Sequence, residues 1–194
     1  MNEKDVNNRA AIIEAARRVF AKYTLRKSTM EDIAHEAKKA KSSIYYYFKS
    51  KEEIIQAVVE NEIELALTEI LKSVEKQDTP DKKLYVYSLT RTKILHRLSN
   101  FYTTMQDEYI EQYGFIDRVR RKHDQKEMTI IADILHEGVE KGTFEIKNLE
   151  LTSFAIVTAL KGFEYVWAAE QDMSVTEKSI DTLFDILFHG IFKK

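Results

Sequence analysis

Residues 29–51 read TMEDIAHEAKKAKSSIYYYFKSK. The spacing i, i+3, i+4, i+7 places Met30, Ile33, Ala34 and Ala37 on one face of a short amphipathic helix. After a tight turn, a second short helix carries Ile44 and Phe48 inward and leaves Ser42, Ser43, Tyr46 and Tyr47 outward. Small side chains and hydroxyls on a short polar helix suit the DNA major groove, where they reach base edges and phosphates.

The flanks extend this unit. Upstream, Ile12, Ile13, Ala16, Val19 and Phe20 form the stripe of a first helix over residues 7–23, and TLRKS (24–28) breaks it. Ser28-Thr-Met-Glu31 has the capping-box pattern S-x-x-E, with Thr29 as a competing cap one residue later. Ser50-Lys-Glu-Glu53 repeats the pattern and opens a long helix to about residue 76, with Ile55, Val59, Ile63, Ala66, Ile70 and Val74 as its apolar positions.

Charge supports a polyanion partner at this end. Residues 1–51 hold 12 Lys and Arg against 6 Asp and Glu, a net +6, whereas the remainder holds 18 against 26, a net −8. Five Gly and one Pro in 194 residues favour long helices over a many-turned β architecture. The absence of Cys excludes a disulfide framework, a thiolate metal site and a cysteine nucleophile, and it suits a reducing cytoplasm. No apolar run approaches the roughly 20 residues of a membrane span. G-x-S-x-G, phosphate-loop and dinucleotide motifs are absent, so no catalytic residue and no cofactor is expected. The histidines are scattered without ligand spacing, and no metal site is expected.

Residues 9–55 resemble the N-terminal domain of the tetracycline-repressor (TetR) family of bacterial transcription regulators. RAAIIEAARRVFAKY (9–23) matches the family's first helix and STMEDIAHEA (28–37) its second. SSIYYYFKSKEEII (42–55) matches the recognition helix, the Y-x-x-F pair Tyr45 and Phe48, and the F-x-x-K-x-E entry to the fourth helix. The resemblance implies that Ser42, Ser43 and Tyr46 read bases. It implies that Lys27, Thr29, Tyr47, Lys49 and Lys51 meet backbone phosphates, with Lys39 and Lys41 as further DNA contacts. Tyr45 and Phe48 are expected in the core as anchors of the recognition helix. Two departures stand out. The family usually has Gly in the turn where this chain has Lys38, and often Gly before the second helix where this chain has Thr24. A left-handed Lys38 carries strain of about 1 kcal/mol relative to Gly.

The second part of the chain is less specific. QDTPDKK (77–83) is a linker in which Thr79 can cap and Pro80 suits a first helical turn. Helices are expected over 81–99, 101–113 with Gly114 as a stop, 116–141 with Val119, Ile130, Ile131, Ile134, Leu135 and Val139 inward and Gly142 as a stop, 149–171, and a last one opened by a Ser174–Glu177 capping box. An aromatic middle, with Phe101, Tyr102, Met105 and Tyr109 as apolar walls and His96, Gln106 and His123 as polar groups, suits a ligand cavity or equally a packed core. The resemblance implies a small effector there, apolar or aromatic. It also implies a homodimer through the last two helices, for which Ile156, Leu160, Phe163, Trp167, Ile180, Leu183, Phe184, Leu187 and Phe188 are the candidates. The same residues serve a monomer as internal core.

The expected fold is therefore all-α with about nine helices. An N-terminal three-helix helix-turn-helix domain (1–50) precedes a helical effector-binding and dimerisation domain (51–194). The expected function is a cytoplasmic transcriptional regulator, a repressor released from a palindromic operator by an effector. The alternative is a constitutive or architectural DNA-binding protein without an effector.

Overall fold

The computed structural model describes residues 2–101, 106–169 and 173–190, and their side chains except at 99–101, 106–120, 122, 163–169, 173 and 176. Eight helices and no strand occur among the described residues: α1 Glu3–Lys27, α2 Met30–Glu36, α3 Lys41–Tyr47, α4 Lys51–Val74, α5 Pro80–Phe101, α6 Gln106–Glu140, α7 Leu149–Ala169 and α8 Met173–His189. Two compact units form, Met1–Glu64 with Asn100–Lys122, and Leu65–Ser99 with His123–Lys194. Compactness thus divides the chain within α4, after Glu64.

The first unit is built on the stripes read from the sequence. Ile12, Ile13, Ala16, Val19 and Phe20 of α1 pack with Met30, Ile33 and Ala34 of α2 and with Ile44 and Phe48. The start of α4 completes this core through Ile54, Ile55, Ala57 and Val58. The single-stripe reading missed three of these four, because α4 is covered on a wider arc there than one stripe spans. Thr24 interrupts α1 at φ +70°, ψ 161°, where the break was expected, so residues 25–27 form a separate final turn.

Three caps differ from expectation. Thr29 rather than Ser28 is the N-cap of α2: its hydroxyl accepts from the Asp32 N–H at 3.1 Å, and the Asp32 carboxylate accepts from the Thr29 N–H at 2.8 Å. Ser28 instead donates its hydroxyl to the Leu25 carbonyl at 2.9 Å, and its side chain is buried. Ser174 lies inside α8, which begins one residue earlier. Pro80 opens α5 as expected, but the Thr79 hydroxyl is buried without a hydrogen-bond partner, and only its carbonyl enters the helix, accepting from Lys83.

In the second unit, Leu84, Tyr87 and Ile94 of α5 pack with Ile131, Ile134 and Leu135 of α6, Val157 and Leu160 of α7, and Ile180 and Phe184 of α8. Ile70 and Val74 bring the end of α4 into this core. α6 runs through Gly114, where a stop was expected. One glycine costs a helix only about 1 kcal/mol, and the residues on either side continue it. Val119 lies outside the described side chains, and Val139 is exposed rather than inward. Gly142, at φ +70°, closes α6 as expected through a Schellman motif: the Thr143 N–H reaches the Gly138 carbonyl and the Gly142 N–H that of Val139. Gly138 has a second role. A β-carbon there would lie 2.0 Å from the Phe144 ring, so its absence lets the loop after α6 fold back onto the core.

Candidate nucleic-acid interface

The recognition segment is fixed from below by Ile44 and Phe48, both buried, while Lys41, Ser42, Tyr45, Tyr46 and Lys49 face outward and Ser43 and Tyr47 are half-buried. Tyr45 corrects an expectation. It is 40% exposed rather than core. A seven-residue helix one turn from its end buries only the i, i+4 pair 44 and 48, and position 45 lies about 100° away from 44. Tyr46 is the most exposed aromatic residue of the helix, at 69%, and its ring meets that of Tyr47 edge-on at 4.9 Å.

The turn before α3 carries the left-handed residue that the sequence suggested. Lys38 has φ +52°. The Lys39 N–H reaches the Ala34 carbonyl at 2.9 Å and the Lys38 N–H reaches that of His35 at 3.1 Å, which closes α2 as a Schellman motif with Lys at the position that favours Gly. Thr24 and Lys38 are the two non-glycine residues with positive φ among the described residues. They are the two positions where the sequence lacks the expected glycines.

The cations have distinct surroundings. Lys41 pairs with Glu31 of α2; that bond, then the loss of solvent around the ammonium, act in opposite senses, and the net effect raises the Lys41 pKa while Glu31 is lowered. Lys49 donates to the Tyr45 carbonyl at 3.3 Å, and its N–H is held by Glu53 at 2.7 Å. The Glu53 N–H in turn meets the Ser50 hydroxyl at 3.3 Å, so the expected Ser50–Glu53 cap forms one residue out of register on its carboxylate side. Lys51 is the exception. Its ammonium donates to the carbonyls of Leu25 at 2.7 Å, Ser28 at 3.0 Å and Arg26 at 3.4 Å. Lys27 and Thr29 are exposed at the entrance to α2.

Lys39 and Tyr47 are engaged with the first turns of α1, which begins four residues earlier than the sequence suggested. Lys39 donates to the Asn8 side-chain oxygen at 2.8 Å, the Asn8 amide donates to the Tyr47 hydroxyl at 3.1 Å, and that hydroxyl donates to Asp5 at 3.1 Å. The Asn8 bond lowers the Tyr47 pKa, while partial burial and the Asp5 carboxylate raise it, with a net rise. Sequence reasoning missed Asp5 and Asn8. Their only signal is the helical continuation of α1 toward its Asn2 cap, whose side chain accepts from the Asp5 N–H at 2.9 Å.

A short, anchored, polar helix between a capped α2 and a clamped α4, within the basic residues 1–51, has the form of a DNA-reading helix-turn-helix. The family description "Bacterial regulatory proteins, tetR family" matches residues 12–58, which span α1 to α4. Residues 12–58 are a TetR-family DNA-binding domain. The HTH-type transcriptional repressor KstR2 of Mycolicibacterium smegmatis is 28% identical over 71% of this chain and 68% of its own length. A transcriptional regulator from Cytophaga hutchinsonii superposes with a TM-score of 0.73 at 26% identity, over 89% of this chain and 94% of that one. Bacillus subtilis FadR, solved in complex with stearoyl-CoA, shares the fold at 21% identity and a TM-score of 0.67, over 94% and 99%.

The expected effector and dimer residues of this chain are placed as follows. His96 of α5 and His123 of α6 are half-buried, and the His123 Nδ1 is buried without a hydrogen-bond partner. Phe101 ends α5, Gln106 opens α6 and Tyr109 lies within it, with side chains outside the described set, and Tyr102 and Met105 lie outside the described residues. The polar element that does emerge was not anticipated. Arg91, 4% exposed, donates from Nε to Glu127 at 2.7 Å, and the Tyr87 hydroxyl donates to the same carboxylate at 3.1 Å. Burial first, then the Glu127 charge, push the Tyr87 pKa far up.

The expected dimer residues differ in burial. Leu160, Ile180 and Phe184 are buried in the chain's own core. Ile156 and Leu183 are half-buried, Leu187 and Phe188 are exposed, and the side chains of Phe163 and Trp167 lie outside the described set. α7 carries a second apolar face that the single-stripe reading passed over. Leu151 is 64% and Phe154 56% exposed, and Ala155 and Ala159 continue that face. With Leu183 and Leu187 of α8, Leu151, Ala155 and Ala159 line an apolar groove of about 500 Å³. Among the described residues no helix is long and apolar enough to cross a membrane.

Proposed function

We propose that this protein is a cytoplasmic homodimeric TetR-family repressor that binds a palindromic operator and is released by a small apolar effector. The observation that carries DNA reading is the outward face of α3, where Ser42, Tyr45 and Tyr46 stand exposed above the buried anchors Ile44 and Phe48. Two such helices, one per protomer, meet successive major grooves about 34–36 Å apart. Ser42, Ser43 and Tyr46 are assigned to base edges. Lys27, Thr29, Lys39, Lys41, Tyr47 and Lys49 are assigned to phosphates. Lys51 is reassigned from phosphate contact to holding the unit together, because its three donors are directed at carbonyls.

Dimerisation is supported by α7, which is apolar on two faces. A helix with one apolar face in its own core and another in water is stabilised when a second copy covers the outer face. The effector reading is supported by the shared fold of FadR with its stearoyl-CoA, which makes a long-chain acyl-CoA the first probe. An effector shifts the equilibrium only by its differential affinity for the bound and released states.

Fluorescence anisotropy with a duplex from the gene's own upstream region, against a scrambled duplex at several salt concentrations, tests DNA reading. The expected result is a sequence preference with a steep salt dependence, and Tyr46→Ala relaxes the preference. Equal affinity for both duplexes with a flat salt response overturns the reading. Added acyl-CoA that leaves the complex intact overturns the choice of probe and, if no other apolar ligand acts, favours constitutive binding.

A further inference from the structure

Lys39, Asn8, Tyr47 and Asp5 form one directional chain of hydrogen bonds. Lys39 donates to Asn8 at 2.8 Å, Asn8 to Tyr47 at 3.1 Å, and Tyr47 to Asp5 at 3.1 Å. The chain begins on a cation in the turn before α3 and ends on a carboxylate in the first turns of α1. Each group donates in the same sense, so each bond polarises the next. Both ends of the Asn8 amide are used, which also defines which way the amide points.

The placement gives this chain a mechanical role. α3 is only seven residues long; Ile44 and the capping residue Phe48 are its buried anchors, and the half-buried Tyr47 packs against the same core. Two apolar contacts on one line leave rotation about that line weakly opposed. Tyr47 lies off the line, and its hydroxyl ties the C-terminal end of α3 to α1. Lys39 ties the turn at the N-terminal end to the same residue. Asn8 therefore spans both ends of the recognition helix from a separate helix.

We propose that Asn8 is a positioning residue for DNA binding, holding α3 in its rotation and presetting Lys39 and Tyr47 before a duplex arrives. The inference rests on the reading of α3 as the DNA-facing helix. It concerns residues that make no base contact themselves. Presetting two contacts removes the ordering cost that binding would otherwise carry.

The test uses the full chain. Asn8→Ala places a good helix former at a half-buried site, so α1 is expected to persist, which circular dichroism checks. Affinity for the upstream duplex is expected to fall about tenfold, equivalent to about 1.4 kcal/mol, and affinity for a scrambled duplex to fall as well but by less, since Lys39 and Tyr47 meet phosphates on any sequence while the rotation of α3 matters to base contacts alone. Tyr47→Phe is expected to cost less in the Asn8→Ala background than in the wild type, because the two lie on one chain. Asp5→Asn keeps an acceptor for the hydroxyl and is expected to bind more tightly than Asp5→Ala. Equal affinities for these two Asp5 variants would show that only the charge matters and would overturn the proposal. So would additive losses in the cycle, or tighter binding by Asn8→Ala. Amide exchange over residues 41–47 in the free protein separates this inference from the DNA reading. If the wild type shows no sequence preference, the DNA reading fails. Unchanged exchange in Asn8→Ala then overturns the positioning role on its own.

Discussion

The ammonium of Lys51, the first residue of α4, lies 2.7 Å from the carbonyl oxygen of Leu25 in the last turn of α1. A cation at a helix N-terminus opposes the helix dipole, but here it sits at the C-terminal carbonyls of another helix, where the dipole favours it. The bond closes the loop between α1 and α2 against α4. Lys51→Ala is expected to destabilise the protein by about 1–2 kcal/mol, the scale of losing charge-assisted bonds that are partly solvated. Chemical denaturation measures this. The salt slope of DNA binding is expected to stay unchanged. A slope reduced by about one would instead mark Lys51 as a phosphate contact.

Lys38 holds φ +52° in the turn that closes α2. Lys38→Gly is expected to stabilise the protein by about 1 kcal/mol, since glycine reaches this region without a β-carbon clash. Lys38→Ala, which removes the charge but retains the β-carbon, is expected to give no such gain. Thermal melts of the two variants decide whether backbone strain or side-chain charge governs the site.

The capping box at Thr29 makes the first unit acid-sensitive. The Thr29 hydroxyl first, and its N–H second, hold the Asp32 carboxyl below its usual value of 3.8. A lowered folded-state pKa contributes stability that is complete above the unfolded value and is lost as pH falls through the folded one. Wild type is therefore expected to lose stability more steeply below about pH 4 than Asp32→Asn does. Glu31, Glu36 and Glu137 are lowered as well, so the difference between the two proteins isolates Asp32. Thr29→Ala is expected to cost about 1 kcal/mol at neutral pH.

Phe154 and Leu160 lie about 120° apart around α7, one 56% and the other 1% exposed. Phe154→Glu is expected to yield a folded monomer, with helical content retained and sedimentation showing one chain. Leu160→Glu is expected to unfold the second unit, because a carboxylate replaces a packed core side chain. A Phe154→Glu protein that remains dimeric would place the interface elsewhere.

Much of the first unit was legible because α1, α2 and α3 each bury one stripe. The buried residues Ile12, Ile13, Phe20, Met30, Ile33, Ile44 and Phe48 all follow from helical spacing. Even the strained turn at Lys38 was visible, since a lysine stood where a glycine was expected. Tyr45 was not legible. A Y-x-x-F pair suggests two anchors, but on a helix of seven residues only one line of side chains reaches the core. The second unit was less legible for the opposite reason. α7 is apolar on two sides, and periodicity does not say which side meets its own chain. The inward stripe of Val157 and Leu160 and the outward one of Leu151 and Phe154 have the same chemistry.

The sequence by itself determined the helices of the DNA-binding unit, its charge and its outward polar face, because these depend on residues within a few turns of one another. Only the tertiary structure decided which polar side chains hold the fold, alone as Lys51 does or together with a DNA-facing role as Tyr47 does. Lys51 reaches Leu25 across 26 positions, and Tyr47 reaches Asp5 across 42. A lysine or tyrosine on a basic helix reads alike whether its polar tip faces phosphate or a neighbouring helix. The difference is the position of an acceptor distant in the chain, and only packing brings that acceptor within hydrogen-bonding reach.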